Sequence, residues 1–280
     1  MKTKVGIVGN GFVGSSIVSG LSLTHEIRIF DKDPLRSTHT LEETVQQSDF
    51  VFVSVPTPMK ISNSGKIDLS IIESVFQEIK NIEFDRSKKI FILKSTIVPG
   101  STRTLSNSSP DLNLVFNPEF LTERSANLDF INSSRIILGG EKTLCEKVEE
   151  MYRERFPYKK VIKTSWETAE FIKYMCNCFF ATKVSFMNEM YQISSKINID
   201  WDTAREGFTS DGRIGNSHLD VPGHDGSLGF GGKCFPKDIN AMINFMIEVG
   251  VNPLVLSSAW EKNLEVRKYK DWEEIDGATS

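Results

Sequence analysis

Along the first 163 residues, short apolar runs alternate with stretches whose apolar positions recur every three or four residues. Residues 4–8, 27–30, 50–55, 89–93, 113–116, 135–138 and 160–162 read as strands. Ile17, Val18 and Leu21 continue the first run at helical spacing, residues 41–45 read as a short helix, and 67–79 as an amphipathic one. Apolar strands alternating with helices specify an α/β class with a doubly wound parallel sheet. In such sheets ligands bind beyond the C-terminal ends of the strands. Three of those ends carry Val55-Pro56-Thr57-Pro58, Lys94-Ser95-Thr96 and Asn117-Pro118-Glu119.

The pattern changes after residue 163. Thr164 with Glu167 forms a capping box, and no proline or glycine follows up to Ile197. Phe171, Met175, Cys178, Thr182, Phe186 and Ile193 mark an apolar stripe. This predicts one helix of about thirty residues, ~45 Å long at the usual rise, with a face for a second copy of the chain. Lys173 and Asn177 share a different face at i,i+4, and their spacing alone reads as a solvated surface. Two domains are expected, 1–163 and 164–280, the second smaller and all-helical. The polar end, 271–280, is expected to fray.

Two segments carry chemistry. Gly9-Asn10-Gly11-Phe12-Val13-Gly14 follows a strand, opens a helix, and precedes a second strand that ends in Asp31. This is a dinucleotide fingerprint in its proper context, and makes the sheet Rossmann-like. The glycines allow a pyrophosphate close to the helix N-terminus, and Asp31 is placed for the ribose hydroxyls, which favours NAD; Lys32 beside it leaves a 2′-phosphate open. The second segment is Gly229-Phe230-Gly231-Gly232-Lys233-Cys234-Phe235-Pro236-Lys237-Asp238. Pro236 suits the start of a helix, and Ile239, Met242, Met246 and Val249 continue it until Gly250. Cys234 therefore stands at a helix N-terminus, where the dipole favours a thiolate. Lys233 and Lys237 act in the same direction, and Asp238 lies one turn on. The alternative is a buried cysteine after a turn. Arg213, in the loop that leads to this segment, is either a phosphate ligand or a surface arginine.

Composition narrows the classes. The 280-residue chain is 39% hydrophobic and 25% charged, as in a globular protein. A net charge of −4 and a pI near 5.7 argue against nucleic acid as a partner. No apolar run reaches membrane-spanning length, and the N-terminus enters a strand directly, with no signal peptide. Cys145, Cys176, Cys178 and Cys234 match no zinc spacing, His25, His39, His218 and His224 form no ligand set, and His224 reads as solvated. No metal is expected, and reduced thiols point to the cytoplasm.

Taken in order, Gly9–Gly14, Val55-Pro56-Thr57-Pro58, Lys94-Ser95-Thr96-Ile97-Val98-Pro99-Gly100, Phe116-Asn117-Pro118-Glu119-Phe120-Leu121-Thr122-Glu123 and Gly229–Asp238 resemble the UDP-glucose/GDP-mannose dehydrogenase family over essentially the whole chain. The resemblance implies NAD-dependent four-electron oxidation of UDP-glucose to UDP-glucuronate, and the long apolar-striped helix, over 165–197, leads us to expect a homodimer. The resemblance also implies Cys234 as the nucleophile that holds the aldehyde and then a thioester, and Asp238 and Thr96 beside a water and the sugar oxygen. Lys173 and Asn177 would stabilise the alkoxide, and Glu119 and Glu123 match the family's active-site glutamates, with Glu119 a candidate base for hydrolysis. Gly9, Gly11, Phe12, Val13, Gly14, Asp31, Val55, Pro56, Thr57, Ser95, Thr96 and Glu123 would contact the cofactor. Glu119, Phe120, Leu121, Lys173, Asn177, Phe230 and Gly231 would contact the nucleotide sugar, with Arg213 reaching the neighbouring subunit's substrate. The sequence departs from the family in four places. It stops where a further C-terminal nucleotide-binding domain is expected, which would weaken substrate binding. The segment between Asp31 and Phe50 is short, the loop 220–227 is long, and Lys233 replaces a small residue. GDP-mannose or another nucleotide sugar, a one-hydride hydroxyacid dehydrogenase, and a non-catalytic NAD-binding remnant are the alternatives.

Overall fold

A computed structural model describes residues 2–60, 65–275 and 278–279. The chain divides into two compact units, Met1–Thr57 with Leu69–Lys173, and Pro58–Asp68 with Tyr174–Ser280. The second unit thus takes in residues 58–68 and resumes at Tyr174.

The first unit is built on β1 (Lys4–Val8), β2 (Glu26–Phe30), β3 (Phe50–Val53), β4 (Ile90–Leu93), β5 (Asn113–Phe116), β6 (Arg135–Gly140) and β7 (Lys160–Thr164). Its helices are α1 (Phe12–Leu21), α2 (Leu41–Gln46), α3 (Ser70–Lys80), α4 (Ser101–Ser108), α5 (Ala126–Asn132) and α6 (Lys142–Arg153). Alternate strand residues point to opposite faces, so the apolar runs sort into two cores. Phe52, Ile90, Ile92 and Val115 pack with Ile17 of α1, Phe130 of α5 and Val148 of α6. Val51, Val53, Phe91 and Leu93 pack with Val45 of α2, Phe76 of α3 and Leu105 of α4. Burial on both faces explains why the strands read as continuous apolar runs.

The strand order is β2-β1-β3-β4-β5-β6-β7. The short segment from Asp31 to Phe50 leads through α2 straight to β3, on the far side of β1. The strand order therefore reverses beside β1, and the glycine fingerprint lies at that switch point. The sheet is not wholly parallel, as the sequence pattern suggested. β5 and β6 are antiparallel, with Val115 opposite Gly140 and Phe116 opposite Gly139. β6 starts beyond the C-terminal end of β5 and runs back along it, a direction that an apolar pattern does not encode.

The long helix exists as one element, α7 (Trp166–Lys196). Its cap differs from expectation: Thr164 closes β7, and Ser165 Oγ accepts from the Thr168 N–H at 3.2 Å. Glu167 instead bonds Arg103 at 2.5 Å. Buried Glu170 accepts from the backbone N–H of Gly100 at 2.6 Å and of Thr102 at 2.8 Å, and so satisfies the first turn of α4. Burial raises the Glu170 carboxyl above its ordinary value.

In the second unit, the C-terminal part of α7 is followed by α8 (Trp201–Thr209), α9 (Phe235–Glu248) and α10 (Leu254–Val266). Ala181, Phe230, Ile239 and Ala259 form one core and Met187, Leu219 and Val221 another. The unit also contains β-bridges from Met59 to Ile67 and to Thr279. Among the described residues of the C-terminal segment, Trp272 is buried against Trp260 with ring centroids 5.4 Å apart, and Ala278 O accepts from the Met59 N–H at 2.9 Å, so these two are packed where fraying was expected.

Candidate active site

The fingerprint in the first unit forms a cradle. Gly9 has φ +91°, a left-handed conformation open to glycine. A Cβ at Gly14 would overlap the Gly9 carbonyl, so α1 approaches the turn only because residue 14 has no side chain. At Gly11 a Cβ would meet nothing within 4 Å, which marks the open side of the turn. No acidic residue or capping side chain blocks the first turn of α1. Asp31 is already oriented, accepting from the N–H groups of Asn10 at 2.6 Å and Asp33 at 2.9 Å. Anion-seeking N–H groups on one side and a fixed carboxylate on the other fit a dinucleotide. Phe12 and Val13 form the first turn of α1. The Thr57 hydroxyl donates to Thr96 O at 2.8 Å and that of Ser95 to Val55 O at 2.7 Å. These bonds tie the ends of β3 and β4 together, with Pro56 exposed between them.

A second centre lies past β5. Glu119 Oε1 accepts from Lys173 Nζ at 2.6 Å and Oε2 from the Leu121 N–H at 2.7 Å. Both side chains of the Glu119–Lys173 pair are buried, at 4% and 3% exposure. Lys173 Nζ also lies 5.7 Å from the Phe120 ring centroid. The turn that carries Glu119 is held by Asn117, whose amide donates to Ile137 O at 2.7 Å. Asn117 Oδ1 accepts from Lys94 Nζ at 3.0 Å and Tyr152 OH at 2.7 Å. Burial pulls the Lys94 ammonium down to about 7, against the opposing charge of Glu119. Glu123 starts a 3₁₀ turn and is exposed, and Thr96 is half-buried.

The second unit holds the cysteine. Cys234 is the N-cap of α9 and half-buried. Burial pushes the thiols of Cys145, to about 11, and Cys178 upward, which leaves those two inert. Gly229 and Gly232 have φ +71° and +74°. At Gly231 a Cβ would overlap Asp271 and Arg267. The loop is pinned through its backbone. Gly229 N–H donates to Asn188 at 3.0 Å, Phe230 N–H to Asn263 at 2.7 Å and Gly232 N–H to Asp271 at 2.9 Å. Buried Arg267 bridges Asp225 at 2.8 Å and Asp271 at 3.0 Å. One turn into α9, Asp238 is buried and accepts from Lys237 Nζ at 2.5 Å and Asn177 Nδ2 at 2.6 Å.

The surface reading of Lys173 and Asn177 therefore fails, since both are buried and bonded to carboxylates. Within the expected stripe, Phe171, Met175, Phe186 and Ile193 are exposed, whereas Cys178 is buried. Lys237 bonds Asp238 at 2.5 Å. Arg213 lies on the surface, forked onto Asp211 at 2.5 and 2.9 Å. Sequence reasoning missed Asn117, Asn188, Asn263, Arg267 and Asp271. For Asn263 the signal is a polar residue that shares a helix face with Ala259 and Val266 in α10.

Residues 28–156 match the NAD binding domain of the UDP-glucose/GDP-mannose dehydrogenase family, and residues 167–265 match its central domain. The chain belongs to this family. Its first unit is the family's NAD-binding domain. The chain is 31% identical over 255 residues to UDP-glucose 6-dehydrogenase TuaD of Bacillus subtilis, spanning 89% of this chain and 53% of that protein. It is 32% identical over 245 residues to UDP-glucose 6-dehydrogenase of Rickettsia bellii, spanning 84% and 54%. A UDP-glucose dehydrogenase structure from Pyrobaculum islandicum superposes with a TM-score of 0.82 at 26% identity, over 94% of this chain and 68% of that one. The chain thus spans about half the length of these two curated relatives. Among the described residues, no helix is long and apolar enough to cross a membrane, and no cluster of potential metal ligands occurs.

Proposed function

We propose that the protein oxidises UDP-glucose to UDP-glucuronate in the cytoplasm. The observation that carries this reading is a buried polar centre in each unit. In the first unit Lys173 bonds Glu119, and in the second Asn177 bonds Asp238. Cys234 opens the helix that carries Asp238.

NAD would be held by Gly9, Gly11, Phe12, Val13, Gly14, Asp31, Val55, Pro56, Thr57, Ser95, Thr96 and Glu123, and two NAD⁺ in turn would accept the two hydrides lost from C6, the first in going from alcohol to aldehyde and the second from thiohemiacetal to thioester. Phe120, Leu121, Phe230 and Gly231 line the sugar nucleotide. The Lys173 ammonium and the Asn177 amide stabilise the oxyanion of the C6 alcohol. Asp238 and Thr96 orient its oxygen and a water. The Cys234 thiolate adds to the aldehyde carbon, giving a thiohemiacetal, so that the aldehyde is not released. Loss of the second hydride from that carbon leaves a thioester. Glu119 takes a proton from water, the hydroxide oxygen bonds to the acyl carbon, and the thiolate leaves.

Residues 1–163 serve the cofactor, and residues 164–280 serve the substrate and a homodimer. Exposed Phe171, Met175, Phe179, Phe186 and Ile193 along α7 supply an apolar face for a second copy. Arg213 then reaches the neighbour's substrate, exchanging Asp211 for a phosphate. The test is NADH formation with a panel of nucleotide sugars that includes GDP-mannose. UDP-glucose is expected to be the preferred substrate; preference for another sugar contradicts the substrate, and no NADH with any contradicts the activity.

A further inference from the structure

A cavity of about 40 Å³ in the first unit lies against Glu119. Its walls include Lys94, Asn117, Glu119, Tyr152, Ser133 and Lys159. That volume admits about two or three waters. Lys94 is buried at 4% exposure, and its ammonium bonds only neutral oxygens in this lining: Asn117 Oδ1 at 3.0 Å and Pro118 O at 3.5 Å. At the rim, half-buried Lys159 bonds Phe130 O at 2.8 Å and Ser133 Oγ at 2.9 Å.

We propose that Lys94 and this cavity carry protons between Glu119 and solvent. The proposal rests on the reading above, in which oxidation of an alcohol to a carboxylate releases protons at a buried carboxylate. Glu119, once protonated, passes its proton through cavity water to the Lys94 amine. The –COOH and –NH₂ groups become –COO⁻ and –NH₃⁺, and no electrons change hands. Lys94 returns to the amine by giving a proton to cavity water at the Lys159 rim, and so to bulk solvent.

The surroundings suit this cycle. Burial brings Lys94 to about 7, Lys173 and Lys159 push it down further, and Glu119 opposes them. Lys159 is itself drawn to about 8 by burial and by Arg155. Burial drives the Tyr152 phenol upward, so it stays a neutral donor. Its 2.7 Å bond keeps Asn117 Oδ1 satisfied whichever form Lys94 takes. Arg135, in the same lining, keeps its guanidinium over the Phe120 ring, 4.6 Å from the centroid.

Lys94→Met tests the proposal, because it removes a buried charge at similar volume and so spares the fold. With UDP-glucose and NAD⁺, the variant is expected to lose about 10²-fold in kcat with both KM values unchanged, and to regain rate as imidazole is added. Wild-type kcat and pH profile in the variant, or a loss indifferent to imidazole, overturns the proposal. A second measurement needs no turnover: ¹⁵N NMR of the lysine side chains of the whole chain, with Lys94 assigned by its loss in Lys94→Met. Lys94 is expected to titrate near neutrality, and lower still in Glu119→Gln. A Lys94 that stays protonated to about pH 9 or ignores Glu119→Gln overturns the relay. If the unsubstituted chain forms no NADH with any nucleotide sugar, the oxidation itself falls, and the NMR titration alone decides the coupling of Lys94 to Glu119.

Discussion

Lys94 carries a consequence for stability. Its folded value is about 7, against 10.5 for the free side chain. Between those limits the unfolded chain binds a proton that the folded chain does not, so stability rises with pH across that window. Below it the lysine is charged in both states and the burial penalty is at its fullest. Urea denaturation across the window from about 7 to 10.5 should show this rise, and Lys94→Met should remove part of it; an identical slope in both proteins contradicts the assignment. The Glu119–Lys173 pair makes a different prediction. Lys173→Ala leaves a buried carboxylate unpaired and should cost about 3–5 kcal/mol, whereas replacing both partners by apolar residues should recover most of the loss. A double-mutant cycle in urea measures it, and additive losses contradict the coupling.

At the level of elements, the loop before Cys234 is a rigid piece, held by Asn188, Asn263, Arg267 and Asp271. Gly231→Ala should overpack it and cost about 1–3 kcal/mol, with slower alkylation of Cys234; an unchanged denaturation midpoint contradicts the packing. The exposed face of α7 should make Phe179→Glu dissociate a dimer, read by light scattering, and a monomeric unsubstituted chain at micromolar concentration contradicts that interface. These elements were legible in the sequence to different degrees. Each strand followed from its apolar run, and the cradle from glycine spacing, because both are local rules. The burial of Lys173 and Asn177 was not legible, because their partners Glu119 and Asp238 stand 54 and 61 residues away. The cap of α7 moved one residue, from Thr164 to Ser165, because β7 pairs with β6 through Thr164. The clamp on the cysteine loop comes from α7, from α10 and from the segment after α10, which a reading of the loop alone does not reach.

On the scale of the whole molecule, cofactor and thiol belong to separate units, each with its own core. Cofactor binding should therefore be measurable without chemistry. NAD⁺ at 100 times its Kd should stabilise the chain by about 2.7 kcal/mol, and NADP⁺ should do less, because its 2′-phosphate meets the fixed Asp31 carboxylate. Asp31→Ala should narrow that difference; equal stabilisation by the two cofactors in the unsubstituted chain contradicts the role of Asp31. The central claim is that Cys234 holds the sugar between two oxidations. The most direct measurement is the number of NADH formed per sugar acid from UDP-glucose, for the unsubstituted chain and for Cys234→Ala, with mass spectrometry of the Cys234 peptide. Two NADH per acid, a sugar adduct on Cys234 and no acid from Cys234→Ala is the predicted result. One NADH per product, with full activity retained in Cys234→Ala, would contradict it.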